Sequence, residues 1–512
     1  MKRLNKALIN NDAQLPEFLE VKNYDHLPER IVQFGEGNFL RGFVDWMVHQ
    51  LNKQGLFNGR IAAIQPTPHG KVVPKLTAQD GLYTFVLQGI EDGREVEKYE
   101  IISSISRGIN PYSNWEDVLA LAESPSIEFV FSNTTEAGLT YSKEAYNPTE
   151  APLSFPGKLT AFLYHRYSVN NGDSHAGLTI IPCELVEENG MKLKEIVFKI
   201  AEDWNLSSSF IDWVKDSNQF CNTLVDRIVP GFPKDNIEQF EKLLGYEDLL
   251  IGVGEPYHLF AIDGDENVKA ALPFHQAGLN VKWGDVTPYR NLKVSILNAP
   301  HTMMFSVGYL SGFQTVYEAT ENETLHRFVQ RAIDEEILPT VSFDEKTKRE
   351  FAESVIERFR NPFVKHYLVD LGLNAVSKFR ARVLPLFLHW TEEKKQIPMM
   401  MSFSLAALIT YYRSKELVGE EHMIGRCGGE EYKIRDSKEA IKRLHEAWKY
   451  YDQTRQGIEK VVWNVLEDEK LWGTNLVAVD KLHSVISDHV KNILEYGMKQ
   501  SAAQLVENVQ VH

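Results

Sequence analysis

Hydrophobic runs alternate with helix-like stretches through the first half of the chain. Short apolar runs at residues 30–34, 60–65, 126–132 and 177–182 are typical of buried strands. Apolar residues spaced three or four apart predict helices over residues 38–53, 113–123, 157–167 and 191–204. The second helix is expected to open with a capping box, formed by Ser113 and Glu116. This alternation predicts an α/β fold, with a parallel sheet covered by helices.

Strand patterns become scarce after about residue 285, and helical patterns dominate from there. Helices are predicted over residues 298–310, 324–337, 346–359, 379–391, 403–413, 437–451 and 482–497. The most apolar stretch, residues 399–412, is too short to cross a bilayer and is interpreted as a buried helix. We therefore predict an α/β domain over residues 1–285 and a mostly α-helical domain over residues 286–512.

Charge and cysteine content restrict the class of partner. The 512 residues carry 55 basic and 71 acidic side chains, a net charge of −16. Such an acidic chain is a poor binder of nucleic-acid backbones, although a local basic pocket for a small anion is compatible with it. Three scattered cysteines, Cys183, Cys221 and Cys427, indicate buried thiols in a reducing cytoplasm. A small-molecule substrate is expected, without nucleic acid or membrane; the oligomeric state is open, and a monomer is compatible with the sequence.

A glycine-rich turn, Gly-Glu-Gly-Asn-Phe at residues 35–39, joins the first strand to the first helix. Glycines there allow a phosphate group close to the backbone N–H groups at a helix N-terminus. Leu40 stands where a third glycine belongs, so a dinucleotide site and a plain tight turn are both open. The second strand ends at Gln65 instead of an acid, and His69 and Lys71 follow. The choice between NAD and NADP is therefore open from this segment.

Lys293, Asn298 and His301 form the most informative cluster. Pro300 favours a helix that begins near Asn298, with Asn298 and His301 on one face. The three residue types suit carbonyl reduction: a lysine can donate the proton, an asparagine can hydrogen-bond the developing oxyanion, and a histidine can orient a hydroxyl group. A surface lysine, a capping asparagine and a core histidine would give the same pattern, and the residues alone favour that interpretation.

Several motifs together resemble the long-chain polyol dehydrogenases typified by mannitol dehydrogenase, over nearly the whole chain. The motifs are the glycine turn, Asn133-Thr-Thr-Glu136, Pro182-Cys-Glu-x4-Asn189-Gly190, Val225-Asp-Arg-Ile228, Lys293-x4-Asn298-x2-His301, Gly308-Tyr-Leu-x-Gly312 and Arg358-Phe-x-Asn-Pro362. The family's own glycine turn also lacks the third glycine. The resemblance implies a Rossmann-like coenzyme domain, NAD(H) as cofactor and no metal.

The resemblance also implies roles for individual residues. Lys293 would be the general acid/base, Asn189 and Asn298 would hold the oxyanion, and His301 would contact a substrate hydroxyl. The implied coenzyme-binding residues are Gly35, Gly37, Asn38, Phe39, Gln65, Asn133, Thr134 and Thr135.

Two departures from the polyol-oxidising members bear on the substrate. Arg290 replaces a glutamate three residues before the lysine, and Asp370 replaces an arginine eight residues before Lys378. A neutral polyol needs no extra cation, whereas a uronate carboxylate pairs well with arginine. The candidates for that contact are Arg290, Arg358, Lys378 and Arg380. Structural salt bridges are an equally open interpretation of Arg380 and Arg382.

The expected activity is NADH-dependent reduction of a keto acid derived from a hexuronate, in hexuronate breakdown. Within the family, a fructuronate reductase or a mannitol or polyol 2-dehydrogenase is the alternative. A non-catalytic nucleotide-binding scaffold is the alternative from a different class, and the complete set of catalytic residue types argues against it.

Overall fold

Residues 1–10, 15–419 and 422–508 are described by the structure, a computed structural model. The chain divides into two units, Met1–Thr287 and Pro288–His512. The first unit is built on a parallel sheet and the second on helices. Among the described residues, every helix is too short or too polar to cross a membrane.

Six parallel strands form the central sheet of the first unit. In chain order they are β1 (Glu29–Phe34), β2 (Arg60–Ile64), β3 (Ile105–Ile109), β4 (Phe129–Ser132), β5 (Thr179–Pro182) and β6 (Gln219–Phe220). Their order across the sheet is β3-β2-β1-β4-β5-β6, and every neighbouring pair is parallel. This is the doubly wound order of dinucleotide-binding folds, in which strand order reverses between β1 and β4. The predicted α/β fold is confirmed.

Helices and smaller sheets complete the first unit. The helices are Lys6–Ile9, Asn38–Arg41, Val44–Lys53, Val73–Ala78, Trp115–Glu123, Phe155–Val169, Asn189–Asp203, Ser208–Ser217, Ile237–Leu244 and Glu266–Ala271. A four-stranded sheet contains Gly252–Gly254, Tyr83–Glu91, Arg94–Ile102 and Leu19–Val21 in that spatial order; Thr223–Asp226, Leu259–Ile262 and Val281–Trp283 form a three-stranded sheet. Lys2–Arg3 pairs with Tyr246–Glu247.

Two local predictions in this unit are wrong. The helix expected over residues 38–53 breaks at Gly42, where an added Cβ would lie 2.8 Å from side-chain atoms of Phe85 and Val229. The chain turns at this crowded point instead of continuing as one helix. The expected capping box is also absent: the helix begins at Trp115 with Asn114 as its cap, and the Ser113 hydroxyl donates to Asn110 O.

The second unit is mostly helical, as expected. Its α-helices are Thr287–Lys293, Ala299–Leu310, Val316–Glu321, Glu323–Arg331, Glu345–Phe359, Leu368–Leu371, Ala375–Arg382, Leu384–Lys394, Met399–Tyr411, Lys438–Trp448, Arg455–Leu466, Glu469–Trp472, Leu482–Tyr496 and Met498–Asn508. The helix Met399–Tyr411 is buried along nearly its whole length and packs against Ala299–Leu310 and Leu482–Tyr496, which confirms its interpretation as a core helix. The helix predicted over residues 379–391 is two helices, separated at Val383.

A three-stranded antiparallel sheet interrupts this helical unit and was not predicted. Its strands are Ser414–Val418, His422–Cys427 and Glu430–Ile434. In the strands His422–Cys427 and Glu430–Ile434 a few buried apolar residues stand between charged ones. Strands this short and this charged give only a weak alternation of polar and apolar residues. All three cysteines are free; Cys183 and Cys221 are buried as expected, whereas Cys427 is only partly buried.

Arg166 joins three elements of the first unit. Its buried guanidinium group donates to the carbonyl oxygens of Ala122 (2.9 Å), Ser124 (2.9 Å), Ile127 (3.0 Å) and Ala176 (2.6 Å). Two of these carbonyl groups lie at the end of the helix Trp115–Glu123, where a cation is favoured by the helix dipole. Arg166 therefore ties this helix end to the chain entering β4 and β5.

Replacing Arg166 with methionine should leave the carbonyl groups of Ala122, Ile127 and Ala176 without this donor, whereas Ser124 O keeps a long hydrogen bond from Ile127 N (3.4 Å). We expect the free energy of unfolding to fall by about 3 kcal/mol or more, because each buried unsatisfied polar group costs about 1–3 kcal/mol. Urea unfolding followed by tryptophan fluorescence measures this loss. Arg107→Met, which removes a half-exposed guanidinium paired with Glu29, should change stability by less than about 1 kcal/mol. Equal losses in the two variants would contradict the assigned role of Arg166.

Candidate active site

The glycine turn lies where strand order reverses in the central sheet. Gly35 follows β1 with a φ of 122°, and an added Cβ would lie 2.9 Å from Asn133 O, which follows β4. Only glycine combines this conformation with such a close approach. Gly37 caps the helix Asn38–Arg41, and no atom lies within 4 Å of the position that its Cβ would occupy. The structure therefore places Gly35 against the segment that follows β4, whereas the coenzyme-binding role of Gly35, Gly37, Asn38 and Phe39 stays a prediction.

The segment after β4 is held by a buried acid that the sequence analysis did not single out. Glu184 accepts hydrogen bonds from Ser132 Oγ (3.0 Å), Thr134 N (2.9 Å) and Thr134 Oγ1 (3.1 Å). Burial raises the pKa of Glu184, and these hydrogen bonds oppose that rise. Asn133 Nδ2 donates to Cys183 O at 2.9 Å, and Thr135 adopts a φ of 71°, which is rare for a β-branched residue. Glu184 and the neighbouring backbone thus fix the segment 132–135 in one conformation.

Gln65 shapes the loop after β2. Its side chain is 1% exposed, and Nε2 donates to Thr67 O at 2.7 Å. Its Oε1 atom is buried and has no hydrogen-bond partner among the described residues. The role of Gln65 at a ribose stays a prediction.

Asn189 ties two strands of the first unit together. Its Nδ2 lies 3.0 Å from Pro182 O, 3.0 Å from Glu184 O and 2.9 Å from Thr223 Oγ1, and its Oδ1 accepts from Gly190 N and Thr223 N. Two N–H bonds are shared among three acceptors. A substrate oxygen would have to displace one of these acceptors. Pro182 O is the acceptor that can be released, because it still receives a hydrogen bond from Thr223 Oγ1.

The cluster of Lys293, Asn298 and His301 lies on one unbroken helical stretch, residues 287–310. The expected helix start at Asn298 is wrong: the α-helix Thr287–Lys293 continues through a wide π-helical turn, Val294–Asn298, into Ala299–Leu310. In that turn Ala299 N donates to Val294 O, five residues back. Pro300 has no N–H group to donate and its ring would clash in a regular α-helix, and the wide turn directly before it accommodates both effects.

The wide turn changes which residues share a face. In a regular α-helix, residues five apart are rotated by about 140° from each other. Hydrogen bonds that span five residues instead bring Lys293 and Asn298 towards the same side of the helix. Both residues are half-buried, whereas Ile296 and Leu297 are buried on the other side. Arg290 lies one turn before Lys293 on the same helix.

His301 is buried in the second unit and lacks a partner for one ring nitrogen. The residue is 7% exposed, and its Nε2 has no hydrogen bond among the described residues. Its ring lies 4.2 Å from that of Phe359 and 5.0 Å from that of His366, between centroids. Burial lowers the pKa of His301 well below its usual range, and nearby His366, Arg358, Arg382 and Lys378 lower it further. His301 is therefore neutral at physiological pH.

The predicted carboxylate-binding cations do not all lie together. Arg358, which is buried near the end of the helix Glu345–Phe359, and Lys378 both act electrostatically on His301 and His366. Arg380 is exposed, and its guanidinium group lies against Gly473. Arg382 lies near His301 instead, because it acts electrostatically on that ring. It lies one helical turn after Lys378 on the same helix.

Sequence reasoning gave no role to Glu184, although it stands inside the motif Pro182-Cys-Glu-x4-Asn189-Gly190, and it missed His366 and the position of Arg382. The spacing Lys378-x3-Arg382 on a predicted helix was a usable signal, because residues four apart share a face. For His366 no local pattern was available, since it lies in an irregular segment before the helix Leu368–Leu371. Among the described residues, no group of three or more His, Cys, Asp or Glu side chains is arranged to hold a metal ion.

Comparison with known proteins agrees with this architecture. Residues 29–276 match the family model for the mannitol dehydrogenase Rossmann domain, and residues 285–494 match that for the mannitol dehydrogenase C-terminal domain. The chain belongs to the mannitol dehydrogenase family. It is 50% identical over 483 residues to an altronate oxidoreductase of Halalkalibacterium halodurans, with 94% of each chain covered, and 42% identical to one of Bacillus subtilis, with 94% and 96% covered.

Two solved structures share the fold at low identity. Mannitol 2-dehydrogenase of Pseudomonas fluorescens, solved as a ternary complex with NAD and D-mannitol, matches with a TM-score of 0.70, 19% identity and 99% of both chains covered. A D-sorbitol dehydrogenase in substrate-free form matches with a TM-score of 0.77, 21% identity, and 98% and 99% covered.

The neutral state of His301 predicts a pH dependence of stability. Below a pH of about 6.5 the unfolded chain takes up a proton at this histidine and the folded chain does not, so stability falls as pH is lowered. Between pH 6.5 and pH 5 the free energy of unfolding falls by at most about 2 kcal/mol through this histidine. Urea unfolding at both pH values should therefore show a smaller loss in His301→Gln than in the wild type. His389→Gln, which removes an exposed histidine, should lose as much as the wild type; a His301→Gln variant that does the same contradicts the prediction.

Proposed function

We propose that this oxidoreductase reduces D-tagaturonate to D-altronate with NADH, in reversible hydride transfer during hexuronate breakdown in the cytoplasm. The observation that carries the substrate is the 50% identity, over 94% of both chains, to an altronate oxidoreductase. The replacement of a family glutamate by Arg290 adds positive charge, which supports an acidic substrate over a neutral polyol.

The residues at the sheet's switch point fit a dinucleotide coenzyme. The first N–H groups of a helix have no partner within it, and the open space beyond Gly37 leaves room for a pyrophosphate beside those of Asn38 and Phe39. Asn133, Thr134 and Thr135 would line the nicotinamide, and Gln65 would lie towards the adenosine ribose. A bound nicotinamide coenzyme supplies or accepts the hydride.

The chain's own residues manage the charge and the proton. As hydride reaches the keto carbon, negative charge develops on the keto oxygen, where Lys293 supplies the proton. Asn298, on the same side of the helix, donates a hydrogen bond to that oxygen. The oxyanion role implied for Asn189 would require its amide to release Pro182 O. His301, kept neutral by burial, accepts or donates one hydrogen bond at a substrate hydroxyl group.

Initial rates separate this proposal from the alternatives. Absorbance of NADH at saturating coenzyme should fall fastest with D-tagaturonate, more slowly with D-fructuronate and slowest with D-fructose. A faster rate with fructuronate or fructose would reassign the substrate within the family. Coenzyme binding without turnover of any of the three would favour a non-catalytic protein. The same assay with NADPH measures the coenzyme preference.

Lys293→Ala should lose most of kcat and keep coenzyme binding. General acid catalysis contributes about 10²- to 10⁴-fold, so we expect a loss of that size. NADH fluorescence on mixing checks that the coenzyme still binds, and added primary amines should restore part of the rate. Lys346→Ala, which removes an exposed lysine of the same unit, serves as the control. Turnover of Lys293→Ala near the wild-type rate would contradict the proposed role.

Glu36 predicts a pH-dependent affinity for the coenzyme. It lies between the two glycines of the turn, and burial raises its pKa to about 7. Above that pH it carries a negative charge two and three residues before the N–H groups of Asn38 and Phe39, where a pyrophosphate would bind. The Kd for NADH should therefore rise by about threefold to tenfold between pH 6 and pH 8. Fluorescence titration should show a flat profile in Glu36→Gln.

A second variant identifies the group responsible for this profile. Asp45 is buried on the next helix, and burial raises its pKa to about 8. Asp45→Asn should keep the pH dependence of NADH binding. A profile that is flat in Asp45→Asn and unchanged in Glu36→Gln would assign the effect to Asp45 and refute the role of Glu36.

A further inference from the structure

Arg382 is a half-buried cation without a carboxylate partner among the described residues. Burial lowers its pKa, and no acid opposes that effect. Its one hydrogen bond within the described residues is long, 3.4 Å from Nη1 to Thr302 Oγ1. A guanidinium group has five N–H donors, and withdrawing it from water without an acceptor is costly. The geometry therefore leaves most of its donors available to a ligand.

The position of Arg382 connects it to the predicted catalytic helix. Thr302 Oγ1, which receives the long hydrogen bond, itself donates to Asn298 O at 2.8 Å. Thr302 is one residue from His301, and Arg382 acts electrostatically on that buried ring. Arg382 thus reaches the helical turn that carries both Asn298 and His301.

A second cation lies one turn away. Lys378 Nζ lies 3.1 Å from Leu371 O and 3.4 Å from Asp370 O, so that it interacts with carbonyl groups at the end of a short helix. Burial lowers the pKa of Lys378, and Arg382 lowers it further, which shows that the two cations are close. Asp436, an acid near Lys378, is already engaged by Val376 N (3.1 Å), Tyr412 OH and Ser437 N (2.7 Å).

These observations identify a region of positive charge within the second unit. Two cations, Lys378 and Arg382, lie beside the half of the catalytic set that His301 and Asn298 contribute. Among the described residues neither cation forms a salt bridge with a side-chain carboxylate, although Asp436 and Asp370 act electrostatically on Lys378. An anion bound there would relieve the mutual repulsion of the cations and the cost of their burial.

We propose that Arg382, with Lys378 beside it, binds the carboxylate group of the sugar-acid substrate and sets the preference for uronates over neutral ketoses. This inference rests on the proposed function, since it requires an acidic substrate. The planar guanidinium group matches a carboxylate in a two-point hydrogen-bonded pair, which a lysine alone cannot form. Arg380, the alternative on the same helix, faces away towards Gly473 and is excluded from this contact.

Arg380 supplies a matched control for the experiment. Arg382→Gln and Arg380→Gln remove the same charge from the same helix, two residues apart. For each variant we would measure KM and kcat with D-tagaturonate and with a neutral ketohexose, and the Kd for D-altronate by calorimetry. NADH binding and circular dichroism check that each variant folds. Arg382→Lys tests whether charge alone is sufficient.

Arg382→Gln should raise KM for tagaturonate and Kd for altronate by roughly 10- to 100-fold, the size expected for a lost charge-assisted hydrogen-bonded pair. The neutral ketohexose should be affected less than about threefold. Arg382→Lys should lie between Arg382→Gln and the wild type, because it keeps the charge and loses the planar geometry. Arg380→Gln should match the wild type.

The outcomes separate this inference from the proposed function. If the wild type reduces tagaturonate and Arg382→Gln behaves like Arg380→Gln, the role of Arg382 is refuted while the function stands. If the wild type binds altronate but does not turn over tagaturonate, the function is refuted, and the altronate Kd of Arg382→Gln still decides the binding role. A wild type that binds no sugar acid and reduces only a neutral ketose refutes both. Equal losses on the acid and the neutral substrate would assign Arg382 to general packing and also refute the inference.

Discussion

One backbone constraint sets the geometry of the predicted catalytic residues. Pro300 cannot donate a hydrogen bond and does not fit a regular α-helix interior, and the helix widens over Val294–Asn298 directly before it. The wide turn moves Lys293 towards the side that Asn298 occupies, and His301 follows one turn later. In the regular helix after the wide turn Thr302 Oγ1 donates to Asn298 O, and Arg382 Nη1 lies 3.4 Å from Thr302 Oγ1.

Burial, more than ion pairing, determines the charge state of the candidate site. The chain has a net charge of −16, yet burial, with the help of nearby cations, keeps the ring of His301 neutral in the second unit. Around the glycine turn of the first unit the buried groups are acids, and burial favours their neutral form by raising the pKa of Glu36 and of Asp45. Each unit thus holds ionisable groups whose neutral form is favoured, which is common where a protein must bind or move charge.

Much of the fold was readable from local patterns. The buried strands and long helices of the first unit and the core helix Met399–Tyr411 were predicted because a hydrophobic period repeats over enough residues to be distinctive. Short or crowded elements were not. The break at Gly42 arises from side chains of Phe85 and Val229, which are distant in sequence, and the sheet Ser414–Ile434 has strands too short and too charged for a clear pattern.

The sequence by itself determined the residue types of the candidate site and their grouping into motifs, because glycine turns and the Lys-x4-Asn-x2-His spacing are local. Only the tertiary structure decided which of them act on one another. Gly35 lies against Asn133, and the side-chain amide of Asn189 has all its hydrogen bonds within the protein. Arg382, and not Arg380, lies near His301. The reason is physical: close approach, hydrogen-bond saturation and the direction in which a helix face points depend on elements far apart in the chain.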